Sequence, residues 1–235
     1  MTNYTLQPIG IIHSPYKEKF GTPRQPGLVY AQCSIELLPP YNQIEALKGL
    51  EGFSHIWVSF IFHQAIRDQW QPTVRPPRLG GNEKVGVFAS RSPFRPNNLG
   101  LSVVKLLDIE QQAGKLLVQV EGLDVIEGTP VVDIKPYIPY VDAIPDAKEG
   151  FATGAQDKKL KVEFTQQAEQ QLEDIENSEN LRQLIIDVLQ LDPRPAYKQQ
   201  EEQGEYGILL DDFNVRWAVK DKSVLVVSVE ADGKS

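Results

Sequence analysis

The chain of 235 residues is 41% apolar and carries a formal net charge of −8, which leaves room for one large domain, or a domain with a small companion, around a real core. Its one cysteine, Cys33, excludes an intrachain disulfide and suits a reducing cytoplasm, and His13, His55 and His63 are too scattered for zinc spacing, so no metal is expected. No apolar run reaches the ~18 residues of a membrane span, and the opening MTNYTLQPIG lacks the basic-then-apolar layout of a secretory signal.

In chain order, strand-like segments come first, separated by Pro/Gly loops: 4–14, 28–38, 54–64, 84–90, 101–110, 115–124 and 129–137. Between the second and third, YNQIEALKGLEG (41–52) predicts a short helix, with Asn42 as its cap and Gly49 or Gly52 near its end. The segments 101–110 and 115–124 flank QQAG and read as a hairpin. Seven short strands with few helices predict a closed or nearly closed β-barrel over 5–146, since a doubly wound sheet would need long helical patterns between strands.

The texture then changes. A polar, Gly-containing stretch at 147–159 reads as a linker. Helical spacing follows over 165–177 and 179–192, ended by the prolines of DPRPAY (192–197). Three more strand-like runs lie at 205–213, 215–221 and 223–231, with a tight turn at Asp221-Lys222. The expected fold class is therefore mainly β: a single-sheeted β-barrel N-terminal domain with a small α+β C-terminal domain over 160–231.

Charge is unevenly spread. Residues 1–146 hold 13 Lys+Arg against 14 Asp+Glu, and 147–235 hold 11 against 18. Within the first part, Arg67, Arg75, Arg78, Lys84, Arg91 and Arg95 face only Asp68 and Glu83, a local basic stripe able to meet an anion despite the acidic total. Two of these arginines sit on RSPFRPNNLG (91–100), where two prolines in four residues forbid a helix and dictate a stiff loop. PRQPG (23–27) is a second proline-braced polar loop; RPPRLGGN (75–82) adds two arginines; His63 and Gln64 close the most apolar strand; and Asp133 and Lys135 share one face of a strand-like run. LPPY (38–41) superficially matches the Asp/Asn-Pro-Pro-aromatic motif of amino-group methyltransferases, but Leu38 cannot accept a hydrogen bond and no Gly-rich cofactor turn exists.

Taken together and in order, IGIIHSPYK, PRQPG, PPRLGGN, GVFASRSPFRPNNLGLS and EGTPVVDIKPY resemble the TsaA-like family, also called the VirR or TrmO family; Glu127 stands where that family's last motif has Asp. The resemblance covers about 5–146, and DPRPAY and DFNVRW (212–217) extend it into the second unit. It implies a homodimeric, S-adenosylmethionine-dependent tRNA methyltransferase acting on N6 of N6-threonylcarbamoyladenosine beside the anticodon. It favours Arg91 for the cofactor, with Pro23, Arg24, Gln25, His63, Gln64, Leu101 and the loop Asp124, Val125, Ile126 and Glu127.

In that role a rigid arginine suits a carboxylate through a bidentate pair, so one of Arg91 and Arg95 holds cofactor and the other RNA phosphate. A base that removes the amide-like N6 proton would help, with Asp133 the first candidate and His63 the second. Arg75 and Arg78 are expected to grip tRNA; Tyr137 and Phe94 to stack the target base; and Lys135, Arg95 or Arg78 to meet the threonyl carboxylate. A non-catalytic RNA-binding barrel is the alternative, and a hydrolase using Asp124 and Asp133 a weaker third.

Overall fold

The protein is described from a computed structural model, in which residues 3–154, 160–195, 198, 203–220 and 223–233 are placed. The end of the expected linker, Ala196 and Tyr197 of DPRPAY, and the expected Asp221-Lys222 turn lie outside the described residues. The elements are β1 (Gly10–His13), β2 (Gln32–Leu37), β3 (His55–Ile61), β4 (Thr73–Val74), β5 (Val85–Gly86), β6 (Leu99–Gln112), β7 (Lys115–Glu121), β8 (Pro130–Pro136), α1 (Pro139–Asp142), β9 (Lys161–Phe164), α2 (Gln166–Glu173), α3 (Ser178–Leu189), β10 (Gln203–Leu210), β11 (Phe213–Lys220) and β12 (Ser223–Ala231), with short 3-10 turns between them.

The chain is mainly β. Six strands close into a barrel in the order β1-β2-β7-β6-β3-β8. Alternation drives the closure: Ile56, Val58 and Phe60 of β3, Cys33, Ile35 and Leu37 of β2, and Leu116, Val118 and Val120 of β7 all fill the interior. The β6–β7 hairpin turns through Ala113 and Gly114, both at positive φ.

Two sequence expectations fail here. KVGVFAS is not a barrel strand. Val85–Gly86 pairs only with Thr73–Val74 in a two-stranded ribbon, and Val87–Ala89 turns as a 3-10 helix. Val87 alone is buried there, so one apolar side chain cannot hold a seventh strand against a barrel whose edges are already paired. The helix expected over 41–52 is two 3-10 turns, Ile44–Leu47 and Leu50–Gly52, separated by Gly49 at φ +89°. Gln43, not Asn42, stands at the cap and makes no side-chain capping bond, and Leu47 is the only buried side chain in either turn.

The second unit is a four-stranded sheet, β10-β11-β12-β9, with α2 and α3 on it. β9 has no counterpart in the sequence reading. It is four residues long, pairs in parallel with β12 and is too short to give a periodic signal. Thr165 caps α2 by accepting a hydrogen bond from the Ala168 N–H at 3.1 Å.

The two units share a core. Tyr16, Val29 and Ile126 from the barrel side join Ile185, Leu189, Ile208 and Trp217 in one cluster. Tyr16 forms an isolated bridge to Leu210, the Asp211 N–H donates to Pro15 O at 2.8 Å, and Phe20 stacks on Trp217 with 6.5 Å between centroids. The segment 15–29 is thus held between barrel and C-terminal unit, which matters because it carries the PRQPG loop.

Candidate active site

The 91–98 loop divides its arginines between two tasks. Arg95 donates through Nη1 to Ser90 O at 2.9 Å, Ser90 and Ser92 hydroxyls accept the backbone N–H of Ser92 and Phe94, and Asn98, at φ +48°, donates to Pro93 O and Ala65 O at 2.8 and 3.2 Å. Arg95 is half-buried and braces its own loop through Nη1. Arg91 is exposed, and its Nη1 donates to Gln25 Oε1 at 2.7 Å, joining the two proline-braced loops side chain to side chain.

The surrounding segments are fixed to the same place. The Gly27 N–H donates to Gly122 O at 2.9 Å, Lys19 Nζ to Gln64 O at 2.6 Å, and Arg24 Nη2 to Arg194 O at 3.3 Å. Asp124 accepts a 2.7 Å bond from the buried Ser102 hydroxyl, and the positive charge of Arg91 acts on its carboxylate. His63 lies in the 3-10 turn His63–Ala65; burial first, then the charge of Lys19, hold its pKa below the ordinary imidazole value, which favours the neutral ring. Guanidinium, amide, half-buried carboxylate and neutral imidazole on neighbouring loops suit a small zwitterionic ligand that also carries hydroxyls.

The loop 124–127 is anchored rather than free. Val125 and Ile126 are buried, with their carbonyls accepting from Ser14 and Thr129 hydroxyls. Glu127 turns away to accept from the Ser14 N–H at 2.7 Å and meets His13 at 2.9 Å; His13 also bridges to Glu36 at 2.9 Å. Glu127 therefore latches the loop to β1, and only Asp124 of this loop directs its side chain toward Arg91 and Ser102.

Burial raises the Asp124 pKa above its ordinary value, against the pull of Ser102, the Asp124 backbone N–H and Arg91. A raised acid favours the fold while protonated. That contribution is full below the unfolded value of 3.8 and is lost as pH rises through the folded pKa. Asp124→Asn, which keeps an acceptor for Ser102, should stabilise the ligand-free protein at neutral pH and give no gain near about pH 3, where the wild-type acid is also neutral. Denaturant melts at the two pH values check this, and an equal effect at both would sink it.

The remaining expected residues lie elsewhere. Asp133 and Lys135 pair at 3.1 Å on β8, opposite Ser59 and Trp57 of β3. Ser59 is also opposite Leu101, an exposed residue on β6, so Leu101 and Asp133 lie two strands apart. Tyr137 packs against Trp57 and His55. Arg75 is exposed, whereas Arg78 donates to Gly154 O at 2.9 Å and Thr153 O at 3.4 Å, tying the ribbon turn to the segment after the barrel. Arg67 lies over the Phe94 ring at 3.6 Å. Arg194 is buried and paired with Asp192 at 2.7 Å, so it is built into the C-terminal unit. Among the described residues no group of three or more His, Cys, Asp or Glu is arranged to hold a metal ion, and no helix is long and apolar enough to cross a membrane.

Sequence reasoning missed Lys19, Asn98 and Ser102. Ser102 had a signal: it is the one polar residue on the inward side of β6 that alternates with Val104. Lys19 and Asn98 tie their segments to the His63–Ala65 turn through carbonyls distant in sequence, Gln64 O and Ala65 O, and left none.

Residues 11–143 match the tRNA-methyltransferase O N-terminal domain family, and 157–232 match the TrmO C-terminal domain family. The chain is 48% identical over 233 residues to the tRNA (adenine(37)-N6)-methyltransferase of Escherichia coli (strain K12), covering 98% of this chain and 99% of that protein. It is 48% identical over 219 residues to a Pseudomonas aeruginosa protein named "Putative S-adenosylmethionine-dependent methyltransferase RcsF", covering 91% and 92%. Among solved structures, that of TrmO from Pseudomonas aeruginosa superposes with a TM-score of 0.78 at 38% identity, covering 98% of this chain and 99% of that one.

Proposed function

The chain belongs to the tRNA-methyltransferase O family, and from that premise we propose that it methylates N6 of N6-threonylcarbamoyladenosine next to the anticodon. It is an S-adenosylmethionine-dependent tRNA (adenine-N6)-methyltransferase. The observation that carries the placement of its site is the 2.7 Å bond between Arg91 and Gln25, which brings the two proline-braced loops together beside Asp124.

In this reading Arg91 binds the cofactor carboxylate, Asp124 faces its ammonium or ribose hydroxyls, and Pro23, Arg24 and Gln25 form one wall. His63 and Gln64 form another, Leu101 adds apolar surface, and Val125, Ile126 and Glu127 hold Asp124 in place from behind. The cofactor, when bound, supplies a methyl group on a sulfonium; the protein aligns the nucleophile and excludes water. Residues 5–146 carry the catalytic site, and 160–231, beyond the linker 147–159, back it. Arg75 faces RNA, while Lys135 and Tyr137 lie on the outer barrel face with Asp133. Exposed apolar side chains at the start of β6, on α1 and just beyond it (Leu99, Val141 and Ile144) support a homodimer across that face. A tRNA substrate is consistent with a cytoplasmic setting.

Of the two candidate proton acceptors, His63 is the better placed. Its ring is held toward neutrality, and its turn is bound by Lys19 through Gln64 O and by Asn98 through Ala65 O to the arginine loop. Asp133 lies on the outer barrel face, paired with Lys135 at 3.1 Å. Methyl incorporation into tRNA with and without the threonylcarbamoyl group, read by nucleoside mass spectrometry, tests the substrate. Equal methylation of the unmodified adenosine would set that substrate aside. In the same assay Asp133→Asn should retain more turnover than His63→Asn, and the reverse order would restore Asp133 as the base.

A further inference from the structure

The 66–90 excursion between β3 and the arginine loop carries side chains the site does not use. The ribbon register pairs Thr73 with Gly86 and Val74 with Val85, and Val87 N–H donates to Pro72 O at 2.9 Å. Continuing that pairing past the ribbon's end toward the barrel sets Gln71 opposite Phe88, with Trp70 one residue further on and diagonal to it. Their ring centroids are 6.3 Å apart and tilted by 30°, yet Trp70 remains 51% exposed and Phe88 73%. Ile66, at the start of the excursion, is 65% exposed. The 3-10 turn that buries Val87 is what drives Phe88 outward.

Two large aromatic side chains left largely in solvent forgo the stabilisation that burying them would bring, so their exposure on a tied-down ribbon calls for a partner. Charge identifies it. Arg67, Arg75, Lys84 and Arg91 are exposed on the same excursion and the loop that follows, against Asp68 and Glu83. Cations interleaved with exposed aromatic rings complement a phosphate backbone with unstacked bases. A second copy docked here by a two-fold axis would instead bring this basic ribbon onto itself. Arg67, stacked on Phe94 at 3.6 Å, connects the excursion to the 91–98 loop, so a strand lying on the ribbon leads to the methyl-transfer site.

We propose that Trp70 and Phe88 form a stacking platform for unpaired bases of the tRNA loop that carries the target adenosine. The inference rests on the reading of a tRNA loop as substrate.

The test compares wild type with Trp70→Ala/Phe88→Ala, full-length, binding two RNAs: a stem-loop with the anticodon-loop layout, and a fully paired RNA of equal phosphate count. Wild type should prefer the stem-loop. The variant should lose about 5- to 150-fold in stem-loop affinity for each stacked base with duplex affinity, thermal midpoint and the salt slope unchanged, because no charge has been removed. Arg75→Ala, by contrast, should weaken both RNAs and flatten the slope by about one unit. If wild type discriminates and the variant still does, the platform is wrong while the substrate reading stands. If wild type itself binds both RNAs equally, the loop-substrate reading fails and takes this inference with it. If the variant dissociates into monomers in sedimentation, the aromatic pair belongs to an interface between copies and the platform is overturned.

Discussion

Arg91→Ala is expected to weaken S-adenosylmethionine binding about ten- to a hundredfold. A hydrogen bond to a charged group contributes about 1.5–3 kcal/mol, and each 1.4 kcal/mol is about tenfold in affinity. The substitution acts twice. It removes the cation proposed for the cofactor carboxylate, and it releases Gln25, so the 23–27 loop loses its tie to the 91–98 loop. It also removes a charge that lowers the pKa of Asp124, leaving that half-buried acid harder to ionise. Arg91→Lys keeps the charge without the planar fork and should fall between wild type and Ala. Gln25→Ala isolates the tether and should cost less than either. Calorimetry measures all three, and an Arg91→Ala protein with wild-type cofactor affinity would remove this residue from the site.

Gly21→Ala should destabilise the protein by about 2–5 kcal/mol. The residue lies at φ +87°, and a Cβ there would stand 1.9 Å from Ile208 Cδ1 and 2.9 Å from its Cγ1. The left-handed conformation costs a non-glycine residue about 1–2 kcal/mol, and overpacking at a closed seam about 1–3 more. Ile208→Val deletes the worst contact and by itself costs about 0.5–1.5 kcal/mol. The double variant should therefore be more stable than the sum of the singles implies, a coupling that denaturant melts resolve. Strict additivity would mean that Gly21 does not bear on Ile208. Because Gly21 leads into Pro23, Arg24 and Gln25, the same variant should also lower cofactor affinity, whereas a purely local core defect would not.

Local chemistry was readable along the chain where the answer depends on neighbours in sequence. Period-two alternation marks β2, β3 and β7 because every second side chain must enter the barrel interior. Proline spacing predicts that 23–27 and 91–98 are stiff loops because ring closure restricts φ whatever the surroundings. The helical spacing of 165–177 and 179–192 holds as α2 and α3, although α2 stops at Glu173 and the chain turns through Asn177 at φ +60°. The same alternation misled at KVGVFAS, where pattern was present but no free sheet edge remained to receive it. The apolar spacing of 41–52 likewise suggested a helix that has only Leu47 to bury. Burial stabilises an element, not periodicity as such.

By itself the sequence determined a mainly β chain, its basic stripe, its two proline-braced loops and, through motif order, the family to which it belongs. Tertiary structure alone decided which groups meet. Arg91 and Gln25 are 66 residues apart, Ser102 and Asp124 are 22, and Arg24 and Arg194 are 170. Nothing local distinguishes Arg91 from Arg95; one reaches across to Gln25 and the other folds back onto Ser90 because the barrel strands deliver the 23–27 loop to the first and not to the second. Trp70 sits between two glutamines and Phe88 in the strand-like KVGVFAS, and they become neighbours only because the ribbon brings their segments together. A side chain's conformational limits are set within a few residues of it, but its partners are set by chain crossings whose closure entropy only the assembled barrel and its seam with the C-terminal unit can offset.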